Sequence, residues 1–213
     1  MLRMRRTATL LTLAVGALAI VLAGCARTVV SDPLRTDYPA TDAGAQLDFW
    51  HDLPGRTALT NDEGLHGVVL LFDGADPTES YAERLALLKR RGWVAESFDE
   101  PADLAMQRGT LARALVKAMD VRGGVMLALT RGHPRYAARE LAALGIMPRG
   151  SELMVIDGLD YLGVISKAQD YMAVRAIRAA ERESGPGADP GPMPPAEQLD
   201  TERPPPRPER GAP

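Results

Sequence analysis

The chain contains a single cysteine, Cys25, which stands directly after a long apolar stretch. A chain with one cysteine cannot form an internal disulfide, so its fold has to depend on a packed apolar core. Residues 183–213 are dense in proline, glycine, glutamate and arginine, and we expect a disordered tail there. The folded region is therefore predicted to span residues 45–182, which is the length of one domain.

The first 24 residues have the pattern of an export signal. Three arginines lie within the first six residues, and residues 7–21 are apolar over a length typical of a signal peptide but short for a membrane span. The following Leu22-Ala23-Gly24-Cys25 resembles the lipobox of bacterial lipoproteins. The resemblance implies cleavage before Cys25 and acylation of its thiol. The alternative is an ordinary secretory signal with an incidental cysteine.

The residues after the predicted cleavage site bear on location. In envelopes with two membranes, lipoproteins retained in the inner membrane carry aspartate after the lipidated cysteine, whereas this chain has Ala26. The resemblance therefore implies an outer-membrane lipoprotein that faces the periplasm. Residues 25–44 show little apolar periodicity, so we interpret them as a tether between the membrane and the domain.

The charge balance argues against nucleic acid as a partner. Removal of the three N-terminal arginines leaves 22 basic and 28 acidic residues, a formal charge of −6. Nucleic-acid binding needs a basic face, which this composition does not favour.

Helix signals recur along the domain and predict a mainly α fold. Thr60-Asn61-Asp62-Glu63 is a capping box, and the apolar run after it predicts a buried helix that ends at Gly74. Further helices are predicted from Pro77 to the Arg90-Arg91-Gly92 stop, over residues 103–119, from Pro134 to Gly145, and over residues 159–181. Residues 125–129 fit either a buried strand or a short helix.

Two segments share one pattern, a helix, a glycine turn, a loop and a second apolar helix. The first runs from Pro77 through Gly92-Trp93 to Lys117-Ala118, and the second from Pro134 through Gly145-Ile146 to Lys167-Ala168. The first helix differs by four residues between them, about one turn, so the buried face keeps its phase. These are the two helix-loop-helix units of a predicted repeat domain, and residues 60–72 fit the end of an earlier, truncated copy.

This pattern resembles the S-layer homology module over residues 61–172. In that family the second helix begins with Thr-Arg-Ala-Glu, and Gln107-Arg108-Gly109-Thr110 keeps the arginine but not the glutamate. Gly158 occupies the arginine position of the second copy. The family's modules bind cell-wall polysaccharide through the motif arginine, so the resemblance implies Arg108 as a ligand-binding residue. Trp93 is a further candidate, because an aromatic ring can stack on a sugar.

No catalytic motif is present, and no cofactor, metal or catalytic residue is predicted. The histidines lack metal-ligand spacing, and we interpret His51, His66 and His133 as structural residues. The expected role is therefore binding or structural, with cell-wall polysaccharide, peptidoglycan or an envelope protein as partner.

Two other functions stay open from the sequence. A hydrolase of envelope polymers would pair Asp99 or Asp103 with Asp157 or Asp160. An assembly factor would recruit a protein partner through the Pro-rich tail.

Overall fold

The structure, a computed structural model, describes residues 27–183. This part of the chain contains seven α-helices, one 3-10 turn and no strand. The predicted signal peptide, Cys25 and the Pro-rich tail lie outside the described residues. The helices are α1 (Ala43–Asp52), α2 (Asn61–Asp73), α3 (Tyr81–Arg90), α4 (Arg108–Ala118), α5 (Val125–Leu129), α6 (Pro134–Ala143) and α7 (Gly158–Glu183). The mainly α prediction is confirmed. No helix within residues 27–183 has the length and apolarity needed to cross a membrane.

Local signals fixed several helix ends. The Thr60 side chain accepts from the Glu63 backbone, Glu63 reaches back to Thr60, and Gly74 closes α2 at φ 75°, so the capping box and its stop are confirmed. Pro134 begins α6, with His133 as its N-cap. Residues 125–129 are helical, which resolves the choice left open by the sequence.

Two helix starts were predicted too early. The helix expected at Pro77 begins at Tyr81 with Ser80 as its N-cap, because the Asp76 carboxylate instead accepts from the backbone and hydroxyl of Thr78. The helix expected over residues 103–119 begins at Arg108. The residues before it are extended, since Ala105 pairs with Thr60 in an antiparallel bridge.

A ring of three backbone hydrogen bonds lies where α2, α4 and α7 begin. Met106 donates to the Leu59 carbonyl at 2.7 Å, Ile156 to Met106 at 3.1 Å, and Leu59 to Ile156 at 3.0 Å. Each ring residue stands two positions before the first residue of its helix, and all three side chains are buried. The first residue of each helix also donates its amide to a carbonyl of another segment, Asn61 to Leu104, Arg108 to Met154 and Gly158 to Arg56, each at 2.9 Å, which removes the cost of burying an unpaired donor.

The core extends from this ring along the three helices. Buried side chains of α2, α4 and the first turns of α7 fill it, and they include Leu65, Val68, Leu111, Leu115, Tyr161 and Ile165. Tyr161 donates to the Gly64 carbonyl at 2.8 Å. Gly158 admits no side chain, because a Cβ there would overlap the carbonyl of Leu53. From Val174 onward, the residues belong to a second compact unit, of which the structure describes the end of α7.

Residues 27–38, which lie in the predicted tether, pack on the domain. Thr28 accepts from Ala105, and Val30 donates to Asp103, both at 2.9 Å. Tyr38 is 4% exposed and belongs to the apolar core. The side chains and backbone of this segment pair with loops that are distant in the sequence. The folded part of the chain therefore starts at least as early as Arg27.

Candidate functional site

An open cleft of about 350 Å³ lies between the loop after α3, the helix α4 and the segment before α6. Its lining combines one arginine with acidic, hydroxyl, imidazole and apolar groups: Val94, Ala95, Ser97, Phe98, Asp99, Glu100, Thr110, Arg113, Thr130, His133 and Pro134. A concave surface with a few convergent polar groups among apolar ones is the usual form of a ligand site.

Arg113 supplies the cationic side of the cleft. Its guanidinium donates to the carbonyls of Gly132 at 2.8 Å and Arg131 at 3.2 Å, while its Nε is buried and has no hydrogen-bond partner within residues 27–183. Burial lowers the pKa of the Arg113 guanidinium from its usual value, but an arginine keeps its charge in proteins. The site thus holds a cation that is partly desolvated and incompletely paired, which favours an anionic ligand.

The segment opposite α4 holds Arg113 in place. Gly132 has φ 81°, a left-handed conformation that a side chain disfavours. A Cβ there would also come within 2.9 Å of the Lys117 side chain. This turn brings two carbonyls to the guanidinium and leads directly into His133 and α6, so the backbone shape of residues 131–133 sets the position of the cation.

The acidic side of the cleft is partly neutralised. Glu100 pairs with Arg27, whose guanidinium donates to Oε2 at 2.6 Å, and also accepts from Asn61 at 3.2 Å. Tyr81 donates to the Glu100 backbone carbonyl at 2.8 Å. The pair with Arg27 offsets the charge of Glu100. Asp99 is the second carboxylate that lines the cleft.

Arg108, the ligand-binding residue implied by the family resemblance, lies away from this cleft. It is 4% exposed, and its guanidinium donates to the Pro148 carbonyl. Its backbone donates to Met154 at 2.9 Å. In the structure Arg108 therefore joins the start of α4 to the loop before α7.

Trp93, the second predicted binding residue, packs at the edge of the core. Its ring lies 5.0 Å from that of Phe72, and the Arg91 guanidinium lies over it at 4.8 Å. Arg91 in turn pairs with Asp73 at 2.8 Å. Trp93 is not among the residues that line the cleft, although its neighbour Val94 is.

The carboxylates considered for hydrolysis do not all line one cleft. Asp99 lines the cleft, whereas Asp157 accepts from the Asp160 backbone at 2.7 Å and caps α7. Neither Asp157 nor Asp160 lines this cleft. Within residues 27–183 there is also no cluster of histidine and carboxylate side chains suited to a metal ion.

A second polar cluster is centred on Arg84, which is itself closed to solvent. Arg84 is 0% exposed and donates through Nε to Asp76 at 2.5 Å, through one amino group to Asp62, and through the other to the Thr36 carbonyl at 3.0 Å. Each of its nitrogen atoms has a partner. Four segments of the chain are joined by this one side chain.

His66 continues the Arg84 cluster toward Tyr38. Its Nδ1 lies 2.7 Å from Asp76, and its Nε2 lies 2.5 Å from the Tyr38 hydroxyl. Burial lowers the pKa of His66, and it raises the pKa of Tyr38 to about 12. Burial alone would raise the pKa of Asp76, but hydrogen bonds from His66, Thr78 and Arg84 and the Arg84 charge hold it below its usual range. Tyr38 therefore donates to a neutral imidazole, which donates to the carboxylate.

The row of tyrosine, histidine and aspartate has the order of a proton relay, but its members are at most 4% exposed. No substrate reaches it, so we assign the Arg84 cluster to stability. Sequence reasoning missed it, although Arg84 falls on the same face of its helix as Tyr81 and Leu88. Arg113 was also missed; the available signal was an arginine between two alanines on a helix rich in inward apolar residues.

Comparison with known proteins gives no relative from which to assign the site. No family model, curated protein or solved structure matches this chain. The function has to be inferred from the chemistry of the cleft and from the sequence.

Proposed function

We propose that this protein is a lipid-anchored lipoprotein of a bacterial envelope, and that its helical domain binds an acidic cell-wall polymer in the cleft at Arg113. The lipobox-like segment that ends at Cys25 supports the anchor. The observation that carries the binding role is the partly buried Arg113 guanidinium, which lines a concave surface and pairs with two backbone carbonyls rather than with a carboxylate. Peptidoglycan and its attached polysaccharides supply carboxylate and phosphate groups that such a cation would bind.

The hydrogen-bond ring supports a repeat architecture similar to that of S-layer homology modules. Three helix-loop-helix units are proposed, α1–α2, α3–α4 and α6–α7, which adds a complete unit to the two predicted from sequence. Leu59, Met106 and Ile156 hold the same position in the three units, and each makes the same type of bond to the next. A repeat that buries its core against its neighbours needs about three copies for stability, which this count provides.

The cleft lies between the second and third of these units, and its lining suits a sugar polymer. Hydroxyl groups of Ser97, Thr110 and Thr130 can exchange hydrogen bonds with sugar hydroxyls, and Phe98 offers an apolar surface to a sugar ring. In this proposal Arg113, and not Arg108, binds the acidic group, because the Arg108 guanidinium is buried against Pro148.

A sedimentation experiment with purified cell-wall sacculi tests the binding role. Residues 25–213 carrying Cys25→Ser would be compared with the same chain carrying Arg113→Met, and with Arg139→Met as the matched control on an exposed arginine. We expect about tenfold weaker sedimentation for Arg113→Met, as for loss of one charge-assisted contact. Arg139→Met is expected to sediment like the chain without this substitution. Equal sedimentation of all three chains, or none, would refute the proposed ligand.

The anchor has a separate test. Cells that produce the full chain would be labelled with a fatty acid, and the purified protein would be analysed by mass spectrometry. We expect acylation at Cys25 and its absence in Cys25→Ser. A mature protein without fatty acid would mean that the segment is an ordinary secretory signal.

A further inference from the structure

The short helix α5 exposes apolar side chains on a protruding segment. Val125 is 81% exposed and Leu129 74%, and Met126 is also exposed, while Leu127 holds the helix to the core. Three large apolar groups on five consecutive residues form a surface that water disfavours. The only non-glycine residues within residues 27–183 with left-handed backbone, Asp120 at φ 48° and Arg131 at φ 54°, stand on either side of this segment.

Basic residues surround α5. Residues 117–140 contain five basic side chains and two acidic ones, in a chain whose formal net charge is −3. Lys117, Arg122 and Arg131 are exposed and line the surface depression beside α5. Of the two acids, Glu140 accepts from the Gly124 backbone at 3.1 Å, and Asp120 lines the same depression. An apolar helix face with a basic surround is the pattern of a segment that lies in the interface of an anionic bilayer.

The proposed anchor precedes a residue that lies beside the same cleft as α5. Cys25 stands two residues before Arg27 in the sequence. Arg27 pairs with Glu100 on one side of the cleft, and Thr130, which directly follows α5, stands on the other side. The start of the described chain and the end of α5 thus stand on the two sides of one cleft.

We propose that α5 is a second membrane contact of this protein, with Val125, Met126 and Leu129 inserted into the interfacial layer of an anionic bilayer. Arg122 and Arg131 contact the headgroup phosphates, because arginine pairs with phosphate through two parallel hydrogen bonds. The orientation of the domain rests on the proposed anchor at Cys25, whereas the bilayer contact of α5 does not.

Vesicle co-sedimentation tests this contact without the anchor. Residues 25–213 with Cys25→Ser would be mixed with phosphatidylglycerol–phosphatidylcholine vesicles and with phosphatidylcholine vesicles. We expect binding to the anionic vesicles that weakens as salt is raised, and at least about tenfold weaker binding by the double variant Val125→Ser/Leu129→Ser. No binding by the unsubstituted chain would overturn the proposal.

A matched control separates α5 from general surface apolarity. Leu153 lies in the loop before α7, and Leu159 lies in the first turn of α7. They are 65% and 66% exposed, close to the values for α5. Leu153→Ser/Leu159→Ser is expected to bind vesicles like the unsubstituted chain, and a loss equal to that of the α5 variant would overturn the assignment to α5. Circular dichroism would show that both variants keep their helices. Sacculus binding by the α5 variant would stay intact, so failure of this proposal is distinguishable from failure of the proposed ligand.

Discussion

Arg84 and Arg113 are both arginines on helices packed against loops, yet they have opposite surroundings. Arg84 is fully buried with every nitrogen paired, two of them with carboxylates. Arg113 is partly buried and pairs with two backbone carbonyls rather than with a carboxylate. A buried charge with complete pairing therefore holds a fold together, whereas a cation that lines a concave surface without a carboxylate partner can bind an anionic ligand.

Replacement of Arg84 should have the largest effect. Arg84→Met leaves Asp76 buried without its cationic partner, so we expect a loss of about 3–5 kcal/mol in the free energy of unfolding. Urea denaturation would measure the loss, with Arg90→Met, an exposed arginine on the same helix, as control. A loss below about 1 kcal/mol would mean that the Arg84 cluster is not a main source of stability.

Arg108 should follow, although the family resemblance implies a binding role for it. Arg108→Ala removes the hydrogen bond to the Pro148 carbonyl and buried packing against Gly150, so we expect about 2–3 kcal/mol of destabilisation. Thermal and urea unfolding would measure it. An unchanged stability together with lost sacculus binding would return Arg108 to the role of ligand-binding residue.

Acidification should weaken the fold through His66. Burial keeps its pKa in the folded state below the unfolded value of 6.5, so the unfolded chain binds the proton first as the pH falls. Stability is complete well above pH 6.5 and falls as the pH is lowered below that value, by at most about 1.4 kcal/mol per pH unit. The measurement is urea denaturation at pH 7 and at pH 5. His66→Gln should flatten this dependence and the exposed His51→Gln should not; equal slopes in all three chains would exclude His66 as the cause.

Replacement of Arg113 should have the smallest effect on stability. Arg113→Met removes two bonds to carbonyls of a partly exposed turn, so we expect a change of less than about 1 kcal/mol in the free energy of unfolding. The comparison with Arg84 fails if the two variants lose equal stability in urea, because Arg113 would then also serve the fold.

Some of the fold followed from local chemistry. The capping box at Thr60, the glycine stop at Gly74 and the proline at the start of α6 act within one or two turns, and the structure confirms each of them. The backbone of residues 27–38 and the start of α4 depended on distant partners. Val30 pairs with Asp103, and Ala105 pairs with Thr60, so the short range of the sequence pattern could not indicate their extended backbone.

The candidate site followed less from the sequence than the helices did. Arg108 was chosen from a motif and Trp93 for its aromatic ring, and both lie outside the cleft. Arg113 gains its chemistry from the carbonyls of residues 131–132, which a turn with left-handed backbone brings to it. Such a pairing between a helix and a later loop has no periodic signature.

The mainly helical domain could be predicted from the sequence, because capping residues and apolar spacing act between near neighbours along the chain. Which charged residues stabilise the fold and which line a cleft depends on the tertiary structure. That distinction rests on burial and on partners such as Asp76 for Arg84 or Gly132 for Arg113, and burial exists only once distant segments have packed together.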